Sequence, residues 1–307
     1  MSHENAIQDQ NRFPAVTGHS GTAGTAETRR WIVSSGNGHV DMASFSGSVS
    51  SYGMPTKGFY QHVAEGGAPS YSLVHKFGEN NAVGTGIVPV CNGGFYRTPG
   101  TAASLEVVSS STNDGSAGTG GQQLTLIGLD NDFVEITQTV EMSGTAPASL
   151  GTALRRLYRM YVSRSGVYAS QSQASHEGDI TVRESGGGDT WATIPTLQTG
   201  FGAGQSLIGA YTVPAGKSAY ILSATLSVDT NKTSTLYFFQ RSNSDDTTSP
   251  YSGVLRTQNL YTGVTGIQEL VHSTPEKFAE KTDIGFLAKA ASASDVSVEF
   301  ELLIVDN

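Results

Sequence analysis

The chain has a single cysteine among 307 residues, and only 15% of its residues carry a charge. With Cys91 alone, an intrachain disulfide is excluded. A reactive thiol would want a basic neighbour, but Cys91 sits between Ile87-Val88-Pro89-Val90 and Asn92-Gly93-Gly94, so it reads as a small buried residue. No apolar run approaches the roughly 18 residues of a membrane helix. The start, MSHENAIQDQNRF, lacks the basic and apolar segments of a secretory signal. These absences predict a soluble protein made in a reducing compartment, with no membrane partner.

Basic charge is also scarce, with 18 Lys and Arg against 27 Asp and Glu, a formal net charge of −9. Nucleic acid as the main partner is therefore not expected, because phosphate binding needs a concentrated basic face. The densest basic run is Arg155, Arg156 and Arg159. On a strand Arg156 would face away from the other two, so the run reads as a solvated or interfacial strand.

What the chain has in excess is glycine, with 37 residues. That is roughly 12%, against about 7% in average proteins. Gly, Ser, Asn and Asp clusters cut the sequence into short apolar runs. The clearest is the last, where Val296, Val298, Phe300, Leu302 and Ile304 alternate with Ser297, Glu299 and Glu301. A period of two marks a half-buried strand. The fold class expected is all-β, with antiparallel β-sandwich or jelly-roll-like domains preceded by a Gly/Ser-rich extended N-terminal arm.

Three regions follow. Residues 1–92 read as the arm or attachment region, with isolated strands at Trp31–Val33 and Tyr71–Val74. Residues 93–200 read as a β-sandwich, with strands at Leu105–Val107, Gln122–Leu129, Phe133–Met142, Arg156–Val162 and Ile180–Arg183. Asp130-Asn131-Asp132 supplies a hairpin turn. Residues 201–307 read as a C-terminal, jelly-roll-like sandwich entered through a hinge at Thr199–Gly204. Its strands are Leu207–Val213, Ala219–Val228, Leu236–Gln240, Gly253–Thr257, Ile267–Val271, Ile284–Ala288 and the final run. Thr274-Pro275 followed by Glu276–Glu280 predicts a short helix, with Thr as cap and Pro at the first position.

No constellation for catalysis emerges. Gly216-Lys217-Ser218 resembles the end of a phosphate loop, but the position of that loop's first glycine holds Tyr211. Asp130, Asp132 and Glu135 have calcium-like spacing but no turn glycine, so they read as a turn; Asp245-Asp246 reads the same way. The histidines (His3, His19, His39, His62, His75, His176 and His272) show no metal-ligand spacing. Gly18-His19-Ser20-Gly21 lacks the strand–turn–helix setting of a nucleophilic serine. Glu135, Glu141, Glu299 and Glu301 read as solvent-facing strand charges rather than a glycosidase pair. Catalytic, cofactor and metal residues are thus expected to be none. Tyr168, Tyr251 and Tyr261 are candidates for a contact or glycan-binding face.

Several turn-and-strand blocks carry a family resemblance: Ser109–Asp114, Gly118-Thr119-Gly120, Gly128–Phe133, and Glu135 with Val140–Gly144. Gly178–Val182 and Tyr211–Lys217 extend it. Over roughly 95–230 the chain resembles virion structural proteins of tailed bacteriophages of marine and freshwater bacteria. The resemblance implies a non-enzymatic virion protein assembled in the host cytoplasm. A capsid decoration or cement protein is expected first, binding the major capsid protein and self-associating, with a trimer favoured. The alternatives are a tail or neck fibre or adaptor, and a glycan-binding adhesin.

Overall fold

The computed structural model describes residues 58–167, 175–196 and 204–307, with the backbone of Thr17–Gly18 and Arg29–Arg30. The expectations for the rest of 1–57, for the hinge and for Tyr168 lie outside these residues. The chain divides into two compact units, Met1–Pro69 and Ser70–Asn307. In the first, β1 (Thr17–Gly18) pairs antiparallel with β2 (Arg29–Arg30), and α1 spans Phe59–Ala64.

The second unit is antiparallel β. In chain order its strands are β3 (Tyr71–Val83), β4 (Val88–Pro89), β5 (Leu105–Ser109), β6 (Gly121–Leu129), β7 (Glu135–Glu141) and β8 (Ala148–Ser149). Then come β9 (Arg156–Ser165), β10 (Ile180–Glu184), β11 (Thr190–Ile194), β12 (Ala210–Thr212) and β13 (Lys217–Val228). The last are β14 (Ser234–Arg241), β15 (Arg256–Val264), β16 (Gly266–Val271), β17 (Lys277–Phe278), β18 (Asp283–Ala290) and β19 (Ser294–Asp306). They form four sheets rather than the two of a single jelly roll. Two are built mainly from the middle of the chain, β11-β10-β5-β8 and β7-β6-β9. The others are β16-β13-β19-β3, with β17 beside β13, and β12-β18-β14-β15, with β4 beside β18.

Two apolar cores lie among the sheets, each drawing residues from more than two of them. Val296, Val298, Phe300, Leu302 and Ile304 of β19 are buried with Phe238, Phe278 and Phe286. Phe286 meets Phe238 and Phe300 at ring separations of 5.0 and 5.8 Å. Fully burying one such side chain contributes on the order of 2 kcal/mol. The second core joins Leu105 and Val107 to Leu124, Leu126, Met160 and Trp191. Phe133, at the tip of the β6–β7 turn, belongs to the first core with Leu129, whereas Leu124 and Leu126 of β6 belong to the second. Phe133 sits at φ +63°, and its carbonyl accepts from Ala215 N.

Two expectations change here. Tyr71–Pro89 is not an arm: β3 runs antiparallel to β19 from Tyr71 to Val83, and β4 joins β18. The buried positions of β3 are Lys76, Gly78, Asn80 and Val83, of which Val83 alone is a large apolar residue, so no apolar alternation announced it. Gly78 is required: a Cβ there would lie 2.1 Å from Gly209 N and 2.2 Å from Val90 O. The helix expected at Thr274–Glu280 is absent as well. Lys277-Phe278 pairs instead with Ala219-Tyr220, because this brings Phe278 into the core beside Phe238. Burying an aromatic ring outweighs the few tenths of a kcal/mol per residue of helix propensity.

Candidate functional site

The run Arg155, Arg156 and Arg159 is not a solvated face, since Arg156 is fully buried and Arg155 is only 6% exposed. Arg156 donates from Nε and Nη2 to Asp283 Oδ1 and Oδ2 at 2.9 and 3.1 Å. Arg241 Nε reaches Asp283 Oδ2 at 2.8 Å, and Thr212 Oγ1 donates to Oδ1. One carboxylate thus ties β9 to β12, β14 and β18. Lys76 Nζ donates to Tyr158 O at 2.6 Å, and burial lowers the lysine pKa to about 7. Burial pushes the Cys91 thiol up to about 12, which leaves it an unreactive core residue.

The blocks Ser109–Asp114, Gly118–Gly120 and Gly178-Asp179 meet around one carboxylate. Asp114 is fully buried and accepts from Ser109 Oγ (2.5 Å), Gly121 N (2.7 Å), Glu177 N (2.9 Å) and Gly178 N (2.8 Å). Glu177 in turn accepts from Asn113 Nδ2 and Thr119 Oγ1, each at 2.6 Å. The residues that carry the family resemblance therefore build a loop clamp.

No family model matches the chain. No curated protein matches it either. A search of solved structures found the isomalto-dextranase of Arthrobacter globiformis T6 complexed with panose, at 14% identity and a TM-score of 0.19. That match covers 78% of this chain but 35% of the dextranase, so the chain spans about a third of that protein's length.

The other candidates are dispersed or engaged. Asp130 Oδ1 accepts from Asp132 N and Val134 N at 2.9 and 3.0 Å, as a turn carboxylate does. Asp245 pairs with Lys281 at 2.9 Å, and Asp246 accepts from Ser252 N at 2.7 Å. Glu135 and Glu141 lie on β7, with Glu141 paired to Arg164, while Glu299 and Glu301 lie on β19. Lys217 of Gly216-Lys217-Ser218 pairs with Asp306. Among the described residues no group of three or more His, Cys, Asp or Glu side chains could hold a metal ion, and no helix is long and apolar enough to cross a membrane.

Two surface features stand out. The outer face of β16-β13-β19-β3 carries a groove of about 360 Å³ lined by Phe77, Glu79, Thr225, Ser227, Ser297 and Glu299. The register places Phe77, Glu299, Thr225 and Glu269 in one cross-strand row. Glu299 is held by His75 Nε2 at 2.8 Å. The second feature is a double edge. β15 and β16 follow each other through Thr265 yet end different sheets, β15 beside β14 and β16 beside β13. Leu260 (55%), Ile267 (69%) and Val271 (82%) are exposed along them, and Tyr251, Val254 and Leu255 before them. Sequence reading anticipated β16 but only the first residues of β15, since Gln258, Asn259, Thr262 and Gly263 mask its apolar content.

Proposed function

We propose that this chain is a non-enzymatic structural protein of a tailed-phage particle, a capsid decoration or cement protein that binds the major capsid protein and self-associates, with a trimer favoured. The observation that carries this reading is the double edge of β15 and β16. Natural sheets blunt their edges with charge, proline or cover. Here the two long edges carry Leu260, Ile267 and Val271, with Arg256 and Glu269 as their charged residues. Such edges suit strand addition by a neighbouring subunit, in which backbone hydrogen bonds supply affinity and side-chain pockets supply register. Repeated around a symmetric particle, weak single contacts become firm attachment.

The reading includes a finer view of the fold, in which the four sheets close two by two as sandwiches over the two cores. A four-bladed, propeller-like arrangement is the second view, favoured by the presence of four separate sheets in one unit; it would require a central channel.

Purified particles test the function: the chain is quantified against the major capsid protein. A ratio near one, or near one to a few, is expected. A few copies per hundred would move the protein to the tail or neck, and absence from particles would sink the reading. A glycan-binding role is the second reading, favoured by the groove in which Phe77 lies beside hydroxyl and carboxylate side chains. An aromatic platform with polar rims suits a sugar ring. Loss of glycan binding in Phe77→Ala would support it.

A further inference from the structure

Arg155 and Arg156 are sequence neighbours in very different states. Both guanidinium groups lie against the Phe133 ring, with Cζ at 4.5 and 5.5 Å from its centroid. Arg156 spends its Nε/Nη2 edge on the two oxygens of Asp283. Arg155 is 94% buried, and its Nη1 donates to Asn131 O at 3.2 Å. Among the described residues its Nε and Nη2 have no partner. That pair of nitrogens is the edge on which a guanidinium grips two coplanar oxygens at once.

The surrounding charge is unbalanced in the same sense. Asp283 and Asp245 are the carboxylates that act on Arg155. Asp283 is already shared by Arg156 and Arg241, and Asp245 is bound by Lys281. Glu280 also acts on Lys281, so four cations face three anions, an excess of one positive charge. Burial, Arg156 and Arg241 lower the pKa of Arg155 and outweigh the raising influence of Asp245 and Asp283, neither of which hydrogen-bonds to it. The loop that carries Asp245 also carries Ser244, whose buried Oγ has no partner among the described residues. Leaving two charged donors buried and unpaired is costly, and native structures rarely tolerate it.

We propose that the free Nε/Nη2 edge of Arg155 is a binding site for a small inorganic oxyanion, with phosphate and sulfate as the class. The anion would supply for Arg155 the two oxygens that Asp283 supplies for Arg156, and would offset the excess charge between the β6–β7 turn, β9 and the loop after β14. Because Arg155 lies beside the turn that inserts Phe133 into the first core, the occupied site would also brace that turn.

Titration calorimetry of the whole chain with sodium sulfate, at fixed ionic strength in acetate-free and phosphate-free buffer, tests the site. Saturable binding near one sulfate per chain is expected. Arg155→Lys, which keeps the charge but lacks the two-pronged edge, should bind about tenfold more weakly or not at all. Crystals soaked in selenate should show an anomalous peak beside Nε and Nη2. Absence of saturable binding to the wild-type chain would overturn the proposal and assign the two donors to ordered water. Equal binding by Arg155→Lys would overturn it too, as would selenate found only elsewhere. If Arg155→Lys does not fold, the wild-type titration and the anomalous peak decide.

Discussion

Arg156 and Asp283, 127 residues apart, form a two-pronged ion pair with side chains 0% and 1% exposed. The pair joins a strand of the middle sheets to a strand of the C-terminal sheets. Removing one partner of a buried pair leaves an uncompensated charge, which costs about 3–5 kcal/mol. Arg156→Met leaves Asp283 paired with Arg241 and Thr212, so a smaller loss of about 2 kcal/mol is expected, measured by urea denaturation. Asp283→Asn should be at least as severe, because Arg241 loses the same partner. A loss below about 1 kcal/mol in both would show that the pair does not hold the sheets together.

Lys76 makes stability depend on pH. Its folded pKa is lowered to about 7 by burial from an unfolded value of 10.5, against the raising influence of Cys91 and Glu135 and alongside the lowering influence of Arg159. Between pH 7 and 10.5 the unfolded chain binds the extra proton, so this group makes stability rise with pH. Cys91 acts oppositely above pH 9, since its folded pKa is raised to about 12. The clean window is pH 7–9. There the wild-type chain should gain stability relative to Lys76→Met, as read from paired denaturation curves; parallel curves would refute the assignment.

Asp114 accepts four hydrogen bonds from two segments, Ser109–Gly121 and Glu177-Gly178. Charge-assisted bonds of this kind contribute about 1.5–3 kcal/mol each, and they are not additive. Asp114→Ala is expected to cost about 3 kcal/mol or more. Hydrogen exchange should rise first at the amides of Gly121, Glu177 and Gly178. Uniform loss of protection across both cores would mean that the clamp is not a local device.

The exposed edges predict a separation of assembly from folding. Ile267→Lys with Val271→Lys places charge on β16 at exposed positions, so the melting temperature should stay within a few degrees of wild type. Self-association by light scattering, or recovery on particles, should be lost. Association that persists with both lysines present would place the contact surface elsewhere.

Much of the β pattern was legible in the residues. The alternation of β19, the strand at Ala219–Val228 and the turns at Asp130–Asp132 and Pro214–Lys217 appear where the sequence places them, with Gly216 at φ +74°. β3 was legible only at its start, because Lys76, Gly78 and Asn80 occupy three of its four buried positions. β11 carries Trp191, Ala192 and Ile194 inward within a short polar stretch, and no expectation covered it. The candidate surface was half legible: Tyr251 was singled out and is exposed, while Leu260, Ile267 and the Phe77 groove were not anticipated.

By itself the sequence determined an all-β chain with inert Cys91, because side-chain periodicity and turn chemistry are local properties. Tertiary structure decided that Arg156 is buried, that Phe278 leaves its expected helix, and that Tyr71–Val83 joins the last strand. Those outcomes depend on partners such as Asp283, Phe238 and β19, which are remote in sequence. Contact with them offsets the cost of burying charge and overrides weak local preference, and no local pattern encodes where such partners will lie.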